Sequence, residues 1–404
     1  MTPSDGDGGA AVTPSDGDGG AAVTPSDGAA AGGMVSDGEA IGPGRPGGLG
    51  ELVAEREVLI CCGSGGVGKT TVSAALALQA ARLGRRACVV TIDPARRLAS
   101  AMGVDSLPNE AARIDGPWSG ELWALMLDPK VTFDQLVRRY ANGPGQAEAI
   151  LGNRLYRNLT GALSGTQEYM AMEKLYELTE DGRFDVVVVD TPPTRNALDF
   201  LDAPRRLTHF LGNRLFQVLL MPTRAYLRAV SVATQALLRT ISKVAGADIV
   251  QDAVAFFQAF EGMLDGFRVR AEHMGELLSR PTTAFVLVTS PRPDAVVEAE
   301  WFADKLRDSG MAVEGLVVNK VHPSLPDLGS LPEAPDGSAL DALEDNYRGY
   351  AAVAAREEAT FADLVSKLAP SPVAHIRLLG IDVHDVDGLQ ALADELFGGH
   401  PWVA

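Results

Sequence analysis

Cysteine is scarce in this chain: Cys61, Cys62 and Cys88 are the only three in 404 residues. They are not spaced as disulfide partners or metal ligands, which argues against a disulfide scaffold and a thiolate centre and makes a reduced, cytoplasmic protein the simplest reading. The histidines His209, His273, His322, His375, His384 and His400 show no ligand spacing either. Positive charge is also short, with 35 Lys and Arg against 53 Asp and Glu and a formal net charge of −18. That balance argues against a nucleic-acid binder held by phosphate contacts. No apolar run reaches the roughly 18 residues of a membrane span. The best stretch, 215–238, is broken by Pro222, Arg224 and Arg228. No basic-then-apolar leader opens the chain, so export is not indicated.

What is present is ample core material, 46% hydrophobic residues. Residues 1–45 are an exception. Thr2 to Val12 repeats as Thr13 to Val23 and restarts at Thr24. Such Gly, Asp, Ser and Pro composition cannot bury enough apolar surface to offset ordering entropy, so a disordered tail is expected there. From Glu51 to the end, 51–404 reads as one domain of alternating strands and helices. Short apolar runs at 58–62, 87–92, 122–127, 184–189, 284–288 and 313–318 predict six strands. Continuous β-branched runs such as Val186-Val187-Val188-Val189 suit strands buried on both faces. The alternation predicts an α/β fold with a mostly parallel sheet flanked by helices. Residues 201–279 carry no strand signal and predict an all-helical insert, with further helices at about 130–180. Residues 322–346, rich in Pro, Asp, Gly and Ser, predict a loop.

The sharpest motif is Gly63-Ser64-Gly65-Gly66-Val67-Gly68-Lys69-Thr70-Thr71. It fits the G-x-x-x-x-G-K-[ST] phosphate loop, with an apolar strand before it and an alanine-rich helix after it. Its glycines let backbone N–H groups approach phosphate oxygens. The following helix points its positive end at the same anion. Lys69 adds charge for the β- and γ-phosphates, and the Thr70 hydroxyl is placed for Mg²⁺.

Three strand ends add candidates. Asp93, after the second strand, is placed to orient or deprotonate an attacking water, and is alternatively a turn former before Pro94. Asp190 follows four apolar residues, the pattern of a second acidic residue near Mg²⁺, and is alternatively a cap for a helix near Ala197. Asn319 ends the sixth strand, where a side-chain amide can pair with a purine edge.

These segments together resemble the arsenical-pump and tail-anchored-protein-targeting ATPases, and their wording is most similar to the actinobacterial subgroup of the anion-transporting ATPases. The family's two switches resemble Asp93-Pro94-Ala95 and Asp190-Thr191-Pro192-Pro193-Thr194-Arg195-Asn196, and its helix opening resembles Gly165-Thr166-Gln167-Glu168. The likeness runs from about Val58 to Leu396. It implies a P-loop ATPase that binds ATP and Mg²⁺. In that reading Asp93 polarises the hydrolytic water with Lys69 at the phosphates. Asp190 joins Thr70 in the Mg²⁺ shell, and Asn319 contacts adenine. The resemblance also implies a dimer, and a helical subdomain that binds a hydrophobic client protein. The apolar spacing from Phe216 to Phe267 suits that role, and equally suits a packed core.

The family's early-loop lysine would fall at position 64, where this chain has Ser64. A neutral hydroxyl cannot replace an ammonium at developing phosphate charge. Slow hydrolysis, substitution by Arg96 or Arg195, or a lysine-bearing paralogue in a heterodimer are the alternatives, the last preferred. The family's zinc-holding Cys-x-x-Cys is missing, and no cysteine follows Cys88, so arsenite is not expected as a ligand. Two other readings compete with a client-binding ATPase. One is a nucleotide-binding regulatory subunit with little hydrolysis. The other is a partition- or division-site-type ATPase, disfavoured by the helical insert and by an acidic rather than basic C-terminal helix.

Overall fold

The computed structural model describes residues 48–93, 97–154, 156, 166–193, 200–203, 205, 206, 209, 256, 259, 263–325, 339–380 and 382–398. The 1–45 tail and most of the 201–279 segment lie outside the described residues. Within that segment the longest described helix is Leu264–Leu278.

Eight strands form one sheet in the order β3-β4-β2-β5-β1-β6-β7-β8. They are β1 (Val58–Gly63), β2 (Arg86–Thr91), β3 (Ala112–Ile114), β4 (Glu121–Met126), β5 (Val186–Asp190), β6 (Thr283–Thr289), β7 (Val313–Val321) and β8 (Val373–Arg377). Only β3 runs antiparallel, against β4. The six expected strands are all present and differ only at their ends. β3 and β8 were not expected. The first is very short, and the second is mostly half-buried at the sheet edge, so neither carries a continuous apolar run.

The sheet is covered on both faces, which is why its central strands read as unbroken apolar runs. Alternation along β1 sends Leu59 and Cys61 to one core and Val58, Ile60 and Cys62 to the other. The first face is packed by α1 (Leu49–Glu55), α2 (Lys69–Arg82), α3 (Arg97–Ala101) and α10 (Val386–Phe397). Alanines at 74, 75, 77, 80 and 81 are fully buried and let α2 lie close against the strands. The second face is packed by α4 (Pro129–Tyr140), α5 (Pro144–Leu151), α6 (Thr166–Glu180), α7 (Leu264–Leu278), α8 (Pro293–Asp308) and α9 (Ala339–Leu368).

The expected loop over 322–346 is shorter than its composition suggests, because α9 already begins at Ala339. Alanine, leucine and glutamate are strong helix formers, and the run Ala339-Leu340-Asp341-Ala342-Leu343-Glu344 outweighs the Pro and Gly residues before it. Of the apolar residues that make up the spacing from Phe216 to Phe267, Phe256, Met263 and Phe267 are buried in the second core. Phe216, Leu219, Leu220, Tyr226, Val230, Val232, Leu237, Phe257 and Phe260 lie outside the described residues.

Candidate nucleotide site

The phosphate-loop motif sits at the C-terminal end of β1, where open α/β sheets bind ligands. Gly63 has φ of +154°, and a Cβ there would lie 2.0 Å from the Val288 carbonyl oxygen on β6. Only glycine fits. Gly66 and Gly68 hold φ of +79° and +93°. Gly68 is the N-cap of α2, so the loop runs straight into a helix N-terminus. The loop borders a cavity of about 250 Å³ lined by Gly65, Gly66, Gly68, Lys69, Thr70, Thr71, Asp93, Arg97, Thr191 and Pro193. Val67 is turned into the first core instead.

Lys69 is buried and donates from Nζ to the Ser64 carbonyl at 2.9 Å. Burial pulls its pKa below the ordinary lysine value, against the opposing pull of Asp190. The cation is therefore pre-placed on the loop rather than swinging in solvent. Ser64 itself is 5% exposed, and its carbonyl serves as this anchor.

Asp190 is the electrostatic centre. Parallel pairing sets it beside Cys61 of β1 and Thr91 of β2. The Thr70 and Thr91 hydroxyls both donate to its Oδ2, each at 2.8 Å. Its Oδ1 is buried and has no hydrogen-bond partner. Burial raises its pKa from 3.8 to about 6, against the lowering effect of the two hydroxyls and Lys69. A buried carboxylate oxygen left bare is costly, and a bound cation is one way to satisfy it. Thr70 gives its proton to Asp190, which leaves its oxygen lone pairs for a second partner. The pair therefore fits Mg²⁺, which would screen the phosphate charge when bound.

Asp93 lines the same cavity and forms an ion pair with Arg97 at 3.7 Å. Its backbone N–H donates to the Thr91 hydroxyl at 3.2 Å, which ties the segment after β2 to the Asp190 cluster. Gln167, in the first turn of α6, donates to the Ile92 carbonyl at 3.2 Å. The helical layer is thus tethered one residue before Asp93. Asn319, expected from the sequence at the base, lies in β7 beside the loop. Its Nδ2 donates to the Val67 carbonyl at 2.8 Å, and it does not line the cavity. Arg96 and Arg195 lie outside the described residues. Thr91, Arg97 and Thr191 were not singled out from the sequence. The Thr91 contact follows from β2 lying next to β5, which strand order alone reveals.

A glycine loop feeding a helix N-terminus, with lysine, threonine and aspartate converging on it from neighbouring strands, assigns the chain to the phosphate-loop NTPases. Within that class, the sequence profile described as anion-transporting ATPase matches residues 56–328, and the chain belongs to that family. It is similar to "ATPase GET3" of Malassezia globosa, 31% identical over 146 residues, covering 36% of this chain and 42% of that protein. It is similar to "ATPase get3" of Aspergillus terreus, 34% identical over 154 residues, covering 37% and 44%. The likeness to "ATPase ARSA1" of Chlamydomonas reinhardtii is 28% over 290 residues, covering 66% and 35%. The chain spans less than half the length of each of these relatives.

Proposed function

We propose that the chain binds ATP with Mg²⁺ and hydrolyses it, and that nucleotide drives a dimeric switch that takes a client protein. The observation that carries the reading is the buried, unpartnered Oδ1 of Asp190 beside the Thr70 hydroxyl. In this reading Thr70 and Asp190 hold the ion, and Lys69 with the loop N–H groups holds the phosphates. Asp93 orients the water, and Asn319 flanks the base. Family membership supports the dimer. The client would be a hydrophobic protein engaged through the 201–279 segment, in the cytoplasm. No helix among the described residues is long and apolar enough to cross a membrane. The partner is a second copy or a paralogous ATPase subunit, and Ser64 favours the paralogue.

The test is ATP turnover by the purified chain with and without Mg²⁺, repeated with Asp93→Asn. Turnover abolished in the variant while a fluorescent ATP analogue still binds supports the assignment. Full turnover by Asp93→Asn removes Asp93 from it. Ser64 also supports a second reading, a regulatory subunit with little hydrolysis. Tight ATP binding with negligible turnover, even with a paralogue added, favours that one. Pull-down of Asp93→Asn with ATP then identifies what the closed state retains.

A further inference from the structure

Lys320 stands out at the end of β7. It is the one non-glycine residue with positive φ among those described, at 65°. The pairing of β7 with β8 shifts register between Asn319 and Val321, so Lys320 sits at a bulge. Its neighbours Asn319 and Val321 are buried while Lys320 is exposed. Its Nζ donates to the Gly66 carbonyl at 3.0 Å, next to the Val67 carbonyl held by Asn319. Bulges beside functional sites re-aim side chains, and a left-handed lysine persists only where its surroundings fix it. A lysine that merely solvates a surface needs neither device.

We propose that Lys320 is a positioning residue for the triphosphate. It clamps the crest of the phosphate loop through Gly66 and adds a positive charge where Ser64, Gly65, Gly66 and Val67 supply none. Lys69 and Arg97 line the cavity and each already has a partner, whereas Lys320 stands beside the loop outside that lining. Lys69 donates to the Ser64 carbonyl from inside, and Arg97 pairs with Asp93. The ammonium of Lys320 uses one donor on Gly66 and carries its charge at the loop's exposed face. An anion with more phosphates gains more from that charge. The inference rests on the reading that this loop takes a nucleoside triphosphate.

The experiment measures binding of fluorescent ATP and AMP analogues to the full chain with Mg²⁺ at low and high salt. Lys320→Asn keeps a residue that tolerates left-handed backbone but removes the charge. Lys320→Arg keeps the charge. Lys69→Ala reports on the site itself. Lys320→Asn is expected to weaken ATP about tenfold at low salt, the size of a charge-assisted contact. AMP should weaken less, the salt dependence of ATP binding should flatten, and Lys320→Arg should restore most of the affinity. Melting of the nucleotide-free chain should stay unchanged. Equal loss for ATP and AMP, or ATP affinity unchanged in Lys320→Asn, overturns the proposal. If Lys69→Ala loses ATP while Lys320→Asn keeps it, Lys320 alone is misassigned. If wild type and Lys69→Ala are equally unable to bind ATP, the triphosphate reading falls with it.

Discussion

The side-chain amide of Asn319 fills the space that a Cβ on Gly68 would need, 2.3 Å from its nitrogen. The amide can hold the Val67 carbonyl only because position 68 has no side chain. Strand β7 is thereby locked to a loop 252 residues earlier in the chain.

Gly68→Ala should therefore fail twice. The alanine is strained at φ of +93°, and it expels Asn319 from its carbonyl. The expected cost is about 2–3 kcal/mol, with ATP binding lost. Gly65→Ala is the control, because nothing lies within 4 Å of its Cβ and its φ is not positive. It should keep the stability of the parent chain. Denaturant unfolding with and without ATP separates the two.

Asp190 makes the metal-free protein sensitive to pH in an unusual direction. Its folded pKa, about 6, lies above its ordinary 3.8. The folded chain thus holds the proton more tightly than the unfolded chain does. The stabilisation is full below about 3.8 and is lost as pH rises through about 6. The size is roughly 3 kcal/mol at most. Asp190→Asn should lack this contribution, read as the difference between the two melting profiles from pH 4 to 8. With Mg²⁺ and ATP the order reverses. The wild type should gain stability from the ligands at pH 8, and the variant little or none.

A buried ion pair joins helices α6 and α7. Arg270 of α7 donates from Nε to Glu173 of α6 at 3.0 Å. The Glu173 side chain is 2% exposed and that of Arg270 is 16% exposed. Burial pushes the Glu173 carboxyl above its ordinary value, against the pull of Arg270. Arg270 also lies over the rings of Tyr176 and Tyr140. Arg270→Met leaves a buried carboxylate unpaired and should cost about 3–5 kcal/mol. Adding Glu173→Leu to it should recover most of that loss, since the penalty lies in the orphaned charge. Chemical denaturation of the two single variants and the double variant gives the coupling.

Much of the site was legible because its chemistry is local in sequence. Gly63, Gly68, Lys69 and Thr70 fall within one short run, and Asp93 and Asp190 each end an apolar strand. The β1, β5 and β6 runs were legible because burial on both faces leaves no polar interruption. What escaped depends on long-range geometry. Thr91 meets Asp190 only because β2 and β5 are neighbours, although their residues are far apart in the chain. The bulge and left-handed backbone at Lys320 have no sequence signature, since nothing but glycine or asparagine announces such a conformation. β8 escaped because an edge strand with one face half-open needs no continuous apolar run. Asn319 was read as a strand-end amide, whereas β7 continues to Val321 and the amide donates to the loop backbone.

The three cysteines, noted first for their scarcity, have a practical consequence. All are buried, and burial pushes the Cys62 and Cys88 thiols up to about 12, with Cys61 raised further in the same direction. Only the thiolate reacts, so the native chain should be silent to alkylating reagents at neutral pH. Any labelling that does occur measures how often the sheet opens. Cys61 and Cys62 directly precede the phosphate loop, so the chain carries its own clock for that junction, one that bound nucleotide should slow.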